Sequence, residues 1–345
     1  MTMVTKQAAV QVDKSLTDDD ILVEVRNLKK YFPIKGGVLQ KTVGHLKAVD
    51  DISFTIKTGE TLGIVGESGS GKSTLGRVLI RLLEPTDGQI IFNQTDISTL
   101  RQRQIRPIRE DMQMVFQDPF ASLNSKMSVE QLIEEPLVVQ GKLAKKARKQ
   151  KVLEVLQKVG LRKDDLQKYP HEFSGGQRQR ISIARALVLN PKFVICDEPV
   201  SALDVSIQAQ VLNLMKDLQD DLGLTYLFIA HDLSVVKHIS DRVAVMYLGR
   251  FAEIAPKKAL YENALHPYTQ ALLSSIPVID LNGGPTTTRE KIKLSGDLPS
   301  PANPPSGCTF RTRCPKAHDR CIIDRPDLVE ISENHFVACH LYEGS

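Results

Sequence analysis

Gly66-Glu67-Ser68-Gly69-Ser70-Gly71-Lys72-Ser73-Thr74 places two glycines with four residues between them and follows the second with Lys and Ser. This is the pattern of a phosphate-binding loop, or P-loop. Glycine lets successive backbone N–H groups turn inward on phosphate oxygens, and a following helix adds the positive end of its dipole. Lys72 supplies the counter-charge for β- and γ-phosphates, and the Ser73 hydroxyl supplies a Mg²⁺ ligand. The flanks agree. Residues 61–65 form an apolar run suited to a buried strand, and Leu75, Val78, Leu79 and Leu82 recur at helical spacing until Pro85 closes the element. Strand, glycine loop and helix make the phosphate-binding unit of an α/β fold. Alone, the loop names only a nucleoside-triphosphate site; the alternative, a glycine-rich strand-to-helix turn without ligand, is the weaker reading given the strand before and the helix after.

Outward from the loop, residues 22–25 alternate and read as an edge strand, residues 52–56 alternate again, and Lys57-Thr58-Gly59-Glu60 reads as a turn. Residues 119–189 change character. They are rich in Lys, Gln, Glu and Leu and read as helical. Residues 193–196 return as a short apolar strand, followed by a helix over 206–218 and a strand over 224–230. The expected fold class is therefore α/β: a nucleotide-binding core over 21–118 and 190–248, with a helical subdomain inserted at 119–189. The segment 249–345 carries Pro and Gly clusters such as Pro299-Ser300-Pro301-Ala302-Asn303-Pro304-Pro305 and reads as small and irregular. Residues 1–20 are polar, lack a signal-peptide layout and read as a flexible lead-in.

Bulk composition narrows the classes. A hydrophobic fraction of 41% with 25% charged residues fits a globular chain rather than a disordered one. A net charge of +4 is too small to argue for nucleic acid. No apolar run approaches the roughly 18 residues of a membrane span, so work at a membrane requires a partner.

Phe193-Val194-Ile195-Cys196-Asp197-Glu198 is a buried strand ending in two acids. Asp197 is placed to hold Mg²⁺ through water, and Glu198 to polarise an attacking water as general base. Cys196 is most simply a small core residue. Phe173-Ser174-Gly175-Gly176-Gln177 has two readings. Ser174 with Gln177 three residues on is a capping box opening the helix that follows. Two glycines at a helix N-terminus also present a bare anion-binding surface.

Taken in order, the phosphate loop, Gln117, Ser-Gly-Gly-Gln, Asp197-Glu198, Ser201-Ala202-Leu203-Asp204 and His231 resemble an ABC ATPase over residues 22–248. The resemblance implies a RecA-like core with an antiparallel β subdomain, binding ATP with Mg²⁺. It implies that Gly66, Ser68, Gly69, Ser70, Gly71, Lys72, Ser73 and Thr74 cradle the nucleotide. Gln117 ligates Mg²⁺ and couples to membrane subunits, Asp204 lies at a dimer seam, and His231 contacts the γ-phosphate. The signature Ser174, Gly175, Gly176 and Gln177 closes on the nucleotide of a second chain. Phe32 is the expected adenine platform, with Tyr31 the alternative. The family's signature usually opens with Leu where Phe173 stands, a conservative apolar change.

Further segments resemble the second ATP-binding subunit of oligopeptide and dipeptide importers. They are Tyr31-Phe32-Pro33-Ile34-Lys35, Gln117-Asp118-Pro119, Tyr169-Pro170-His171-Glu172-Phe173, His266-Pro267-Tyr268-Thr269 and Pro304-Pro305-Ser306-Gly307-Cys308. This implies a peptide-translocating ATPase at the cytoplasmic face of the membrane. Its implied partners are a sister ATPase in a heterodimer, two transmembrane permeases and an external peptide-binding protein, with no nucleic acid. Other cargo (nickel, sugars, antimicrobial peptides), a soluble ABC ATPase of DNA repair or translation, and a module with a vestigial nucleotide site are the competing readings.

Cys308, Cys314, Cys321 and Cys339 crowd the C-terminal segment with five, six and seventeen residues between them. In a reducing compartment four thiolates suggest a metal or cluster. The loose spacing favours [4Fe–4S] over Zn²⁺, with free thiols or a disulfide as the third option, and Arg311, Arg313 and Arg320 are expected to offset the thiolate charge.

Overall fold

The computed structural model describes residues 20–37, 40–276, 292–294 and 296–343. The lead-in expected over 1–20 lies, except for Asp20, outside the described residues.

Two sheets organise the chain. The first has the order β2-β1-β4-β5, built from β1 (Ile21–Gly36), β2 (Lys41–Lys57), β4 (Asp87–Phe92) and β5 (Thr95–Asp96), all antiparallel. β1 is thus an interior strand, not the edge strand expected from residues 22–25. Alternation arises because one face packs on a core, and it carries no information about which side is paired.

The second sheet has eight strands in the order β11-β12-β10-β9-β3-β8-β7-β6. Its parallel half holds β3 (Thr61–Val65), β6 (Met112–Val115), β7 (Phe193–Asp197), β8 (Thr225–Ile229) and β9 (Arg242–Tyr247). β3, β7 and β8 are buried at every residue, the uniform apolar run of strands covered on both faces. Strands β10 (Arg250–Pro256), β12 (His335–Val337) and β11 (Val329–Ser332) continue the sheet antiparallel. The segment beyond 249 therefore includes strands that extend the core sheet, together with α9 (Lys257–Glu262), α10 (Pro267–Ser274) and α11 (Arg320–Ile323). β12 is only three residues long; it pairs with its near neighbour β11 and joins the core sheet only through the distant β10, so no local pattern announced it.

Helix α1 (Lys72–Leu79) follows β3, ending before Leu82, which is exposed. The chain turns away through Arg81, whose φ is +57°. Between β6 and β7 lie α2's successors α3 (Pro119–Ser122), α4 (Val129–Gln140), α5 (Lys145–Lys158) and α6 (Gly175–Leu187), with α2 (Gln102–Ile108) preceding β6. Helices α7 (Val205–Leu222) and α8 (Leu233–Ile239) connect β7, β8 and β9. No helix among the described residues is long and apolar enough to cross a membrane.

Candidate functional site

The carboxyl ends of β3, β7 and β8 lie side by side, and the loops leaving them build the site. From β3 the phosphate loop enters α1. Gly71 takes φ +104°, and a Cβ there would stand 1.9 Å from the Ala48 carbonyl oxygen; at Gly66 it would stand 2.1 Å from the Met246 carbonyl oxygen. Backbone cannot yield at such distances, so the curl of the loop requires glycine at both.

Lys72 is buried, with Nζ donating to the carbonyl oxygens of Gly66 (2.7 Å) and Glu67 (2.9 Å). Burial pulls its pKa below the ordinary value, against the carboxylates of Glu198, Asp197 and Glu67. Ser73 Oγ donates to Asp197 Oδ1 at 2.7 Å, joining the loop to the end of β7. Asp197 is fully buried and burial pushes its carboxyl pKa up. Its Oδ2 has no hydrogen-bond partner, and the nearest cation, Arg77, stands 3.9 Å away. A buried carboxylate oxygen beside a serine hydroxyl, still short of a partner, suits a hard divalent cation with oxygen ligands such as Mg²⁺.

Glu198 follows with φ +47°, an uncommon conformation for a non-glycine residue. Its N–H donates to the Ile229 carbonyl of β8 (2.9 Å), which fixes the turn. Its Oε2 accepts from Gln117 Nε2 at 2.8 Å and lies 3.6 Å from His231 Nδ1. Three loops, after β6, β7 and β8, thus converge on one carboxylate. Lys72, Ser73, Asp197, Glu198, Gln117 and His231 form one connected group beside Gly66, Ser68, Gly69, Ser70, Gly71 and Thr74.

Other expected residues stand apart. Ser174 caps α6, accepting from the Gln177 N–H at 3.4 Å, while the Ser174 N–H donates to Gln177 Oε1 at 3.1 Å; the capping box is real. A Cβ on Gly176 would meet Ile207 of α7 at 2.5 Å, so packing also demands a small residue there. Among the described residues no hydrogen bond or ion pair joins 174–177 to the phosphate loop. Asp204 is exposed at the start of α7. Tyr31 Oη donates to Asp50, which also accepts from Arg250 (2.8 and 3.0 Å), whereas the half-exposed Phe32 ring faces the Lys30 ammonium at 5.0 Å.

The match to known proteins follows this geometry. Residues 49–201 match the family described as ABC transporter, and residues 252–321 match the family described as oligopeptide/dipeptide transporter, C-terminal region. The chain is 58% identical over 326 residues to the oligopeptide transport ATP-binding protein AppF of Bacillus subtilis, covering 94% of this chain and 98% of that protein. The chain belongs to the ABC transporter ATP-binding proteins. The putative oligopeptide transport ATP-binding protein YkfD of the same organism is 55% identical, covering 94% of this chain and 96% of that protein. Among solved structures, cbiO1 of Clostridium perfringens, part of the ABC transporter complex cbiONQ, superposes with a TM-score of 0.62 at 31% identity. It covers 71% of this chain and 92% of its own. The cassette MJ0796, solved as a dimer in a post-hydrolysis state with ADP and Pi, gives 0.61 at 28% identity, covering 68% and 98%. An ABC transporter ATPase hydrolyses ATP to drive transport, and that is this chain's activity.

Two expectations are corrected. Among the described residues no group of three or more His, Cys, Asp or Glu is arranged to hold a metal ion, and all five cysteines are free. The arginines expected to balance them turn elsewhere: Arg311 to Ser306, Arg313 to Glu67 and Arg320 to Glu343. The [4Fe–4S] reading is overturned by the lack of a metal-holding group among the described residues, because cysteine spacing in the sequence does not by itself set a ligand geometry. The heterodimer is not supported either: the similar cassette MJ0796 was solved as a dimer.

Sequence reasoning gave Arg313 a different role and Tyr268 none, yet both contact Glu67 of the phosphate loop. Tyr268 sat inside the quoted His266-Pro267-Tyr268-Thr269 stretch, yet nothing local tied it to a loop 201 residues away.

Proposed function

We propose that this chain powers an importer of oligopeptides or dipeptides, working peripherally at the cytoplasmic face of the membrane with permease subunits and an external peptide-binding protein. The observation that carries the reading is the convergence of Ser73, Asp197, Gln117, Glu198 and His231 on one edge of the phosphate loop, in a chain whose 252–321 segment matches the oligopeptide/dipeptide transporter family. We read the organisation as a RecA-like core with an antiparallel β subdomain over 21–118 and 190–248, a helical signature subdomain over 119–189, and a C-terminal importer-type extension from 249.

In this reading the loop N–H groups and Lys72 bind the β- and γ-phosphates. Ser73, Asp197 and Gln117 would hold Mg²⁺, which would neutralise charge developing on the phosphates. Glu198 accepts the proton of the attacking water, and the hydrogen bond from Gln117 orients its carboxylate. His231 contacts the γ-phosphate, and Phe32, free of the network that engages Tyr31, stacks on adenine. Ser174, Gly175, Gly176 and Gln177 of a second cassette close over the nucleotide, with Asp204 at the seam, so ATP binding drives dimer closure.

The test is uptake of a labelled oligopeptide by cells in which this chain is deleted and then restored, as wild type or as Glu198→Gln. Restoration by the wild type alone supports the reading. Unchanged peptide uptake in the deletion overturns the cargo assignment and leaves the ATPase standing.

A further inference from the structure

Glu67 is the second residue of the phosphate loop, and every polar group it owns is engaged. Its carbonyl oxygen accepts from Lys72 at 2.9 Å. Its N–H donates to Tyr268 Oη at 3.0 Å, and both carboxylate oxygens accept from Arg313 Nη1, at 3.0 and 2.9 Å. Two of these three attachments come from beyond residue 249. Tyr268 is wholly buried, with its ring edge-on to Tyr247 (4.8 Å between centroids) and against Phe310 (5.3 Å). Arg313 follows Phe310 by three residues and its N–H donates to the Phe310 carbonyl, so the aromatic cluster aims the guanidinium.

A loop built to hold a triphosphate carries a carboxylate, which repels the incoming polyanion and competes for Lys72. The Glu67 field reaches Lys72, whose pKa it helps to hold up against burial, after the larger contributions of Glu198 and Asp197. Arg313 cancels that field at its source, with a side chain only 10% exposed, where solvent screens poorly.

We propose that Arg313 is a positioning residue for ATP binding: by neutralising and immobilising the Glu67 carboxylate, with Tyr268 holding the Glu67 backbone, it keeps the phosphate loop an anion site and makes ATP affinity depend on docking of the C-terminal segment. The inference rests on the proposed role of the loop in binding ATP. Arg313 touches neither nucleotide nor reacting atoms; it acts through Glu67.

The test uses the full-length chain, with Mg-ATP binding by calorimetry and steady-state hydrolysis. In Arg313→Ala the Kd and KM for ATP rise about tenfold while kcat stays within about twofold, a change of some 1.4 kcal/mol in binding alone. Arg313→Lys recovers most of the affinity. The deciding variant is Arg313→Ala with Glu67→Gln. Once the carboxylate is gone no counter-charge is needed, and affinity returns to within about threefold of wild type. A purely structural arginine predicts the opposite, since the double variant lacks the same clamp. Should Arg313→Ala fail to fold, Arg313→Gln keeps part of the aliphatic stem and a hydrogen-bond donor without the charge, and gives the same comparison. Wild-type affinity in folded Arg313→Ala or Arg313→Gln, or a double variant as weak as the single, overturns the proposal. Lys72→Ala separates the two failures: if it binds ATP normally, the loop assignment itself is wrong.

Discussion

The strand ends around the phosphate loop and the segment 250–343 both bury charged groups, and they treat them in opposite ways. At the loop the buried groups are left short of partners or held by the loop itself. Asp197 Oδ2 accepts no hydrogen bond, Lys72 leans on backbone carbonyls of its own loop, and Glu198 sits at φ +47°. In the C-terminal segment the buried carboxylate and histidines find partners, and the unpartnered Nε of Arg313 is the exception. Glu253, fully buried, accepts from the N–H groups of Leu265 (2.8 Å) and His266 (3.0 Å) and pairs with His335 Nε2 at 2.7 Å. His266 Nδ1 in turn accepts from the Tyr268 N–H at 3.0 Å. His340 pairs with Glu343 at 2.9 Å and reaches the Asp324 carbonyl at 2.9 Å. Incomplete pairing costs stability and persists where a ligand completes it; complete pairing marks groups whose work is to hold the fold.

If that contrast holds, changes at the loop should alter chemistry more than stability. Glu198→Gln should lower kcat by about 10²–10⁴-fold while Mg-ATP still binds, because the base is lost and the loop is not. Single-turnover hydrolysis with parallel calorimetry checks it, and near-normal turnover would remove Glu198 from the base role. Changes in the C-terminal segment should do the reverse. Glu253→Gln leaves a buried donor without its acceptor and should cost about 3 kcal/mol of unfolding free energy, read from urea denaturation.

Acid should find the same divide. Burial lowers His266 to about 4 from an ordinary 6.5, against the nearby Glu253 carboxylate. The unfolded chain then binds the extra proton first, so this contribution is fully present above pH 6.5 and is lost as pH falls towards about 4. The expected loss is on the order of 2–3 kcal/mol. His266→Asn keeps an N-cap for α10 without the titration, and its stability should fall less steeply over that range. Equal slopes would show that His266 is not the group responsible.

Ser174→Ala straddles the two regimes. Loss of the cap should cost only about 1 kcal/mol. A fall in ATP hydrolysis far beyond that small destabilisation would assign Ser174 to the nucleotide; hydrolysis that merely tracks stability would leave it as a helix cap.

How much of this was legible in advance depends on the range of the interaction. Residues 66–74 and 193–198 were legible as a strand–loop–helix unit and a buried strand ending in acids, because glycine spacing, an apolar run and a terminal acid are local features. The helical character of 119–189 was legible for the same reason. Gln117 and His231 were reached through resemblance, since a single polar residue after a strand has no local signature. The interior place of β1, the strands β10 and β12, the Tyr268 and Arg313 contacts with Glu67 and the fate of the four C-terminal cysteines were not legible. Each depends on which distant segment lies alongside.

The sequence by itself determined that this protein holds a triphosphate-binding α/β unit and where its loop, acids and helical insertion lie. Those follow from backbone sterics and from periodicity within a few residues. Only the tertiary structure decided that Glu198 gathers Gln117 and His231, and that Glu67 is neutralised by an arginine 246 positions away. Strand order and side-chain direction are fixed by burial of the whole sheet, and no window of sequence contains them.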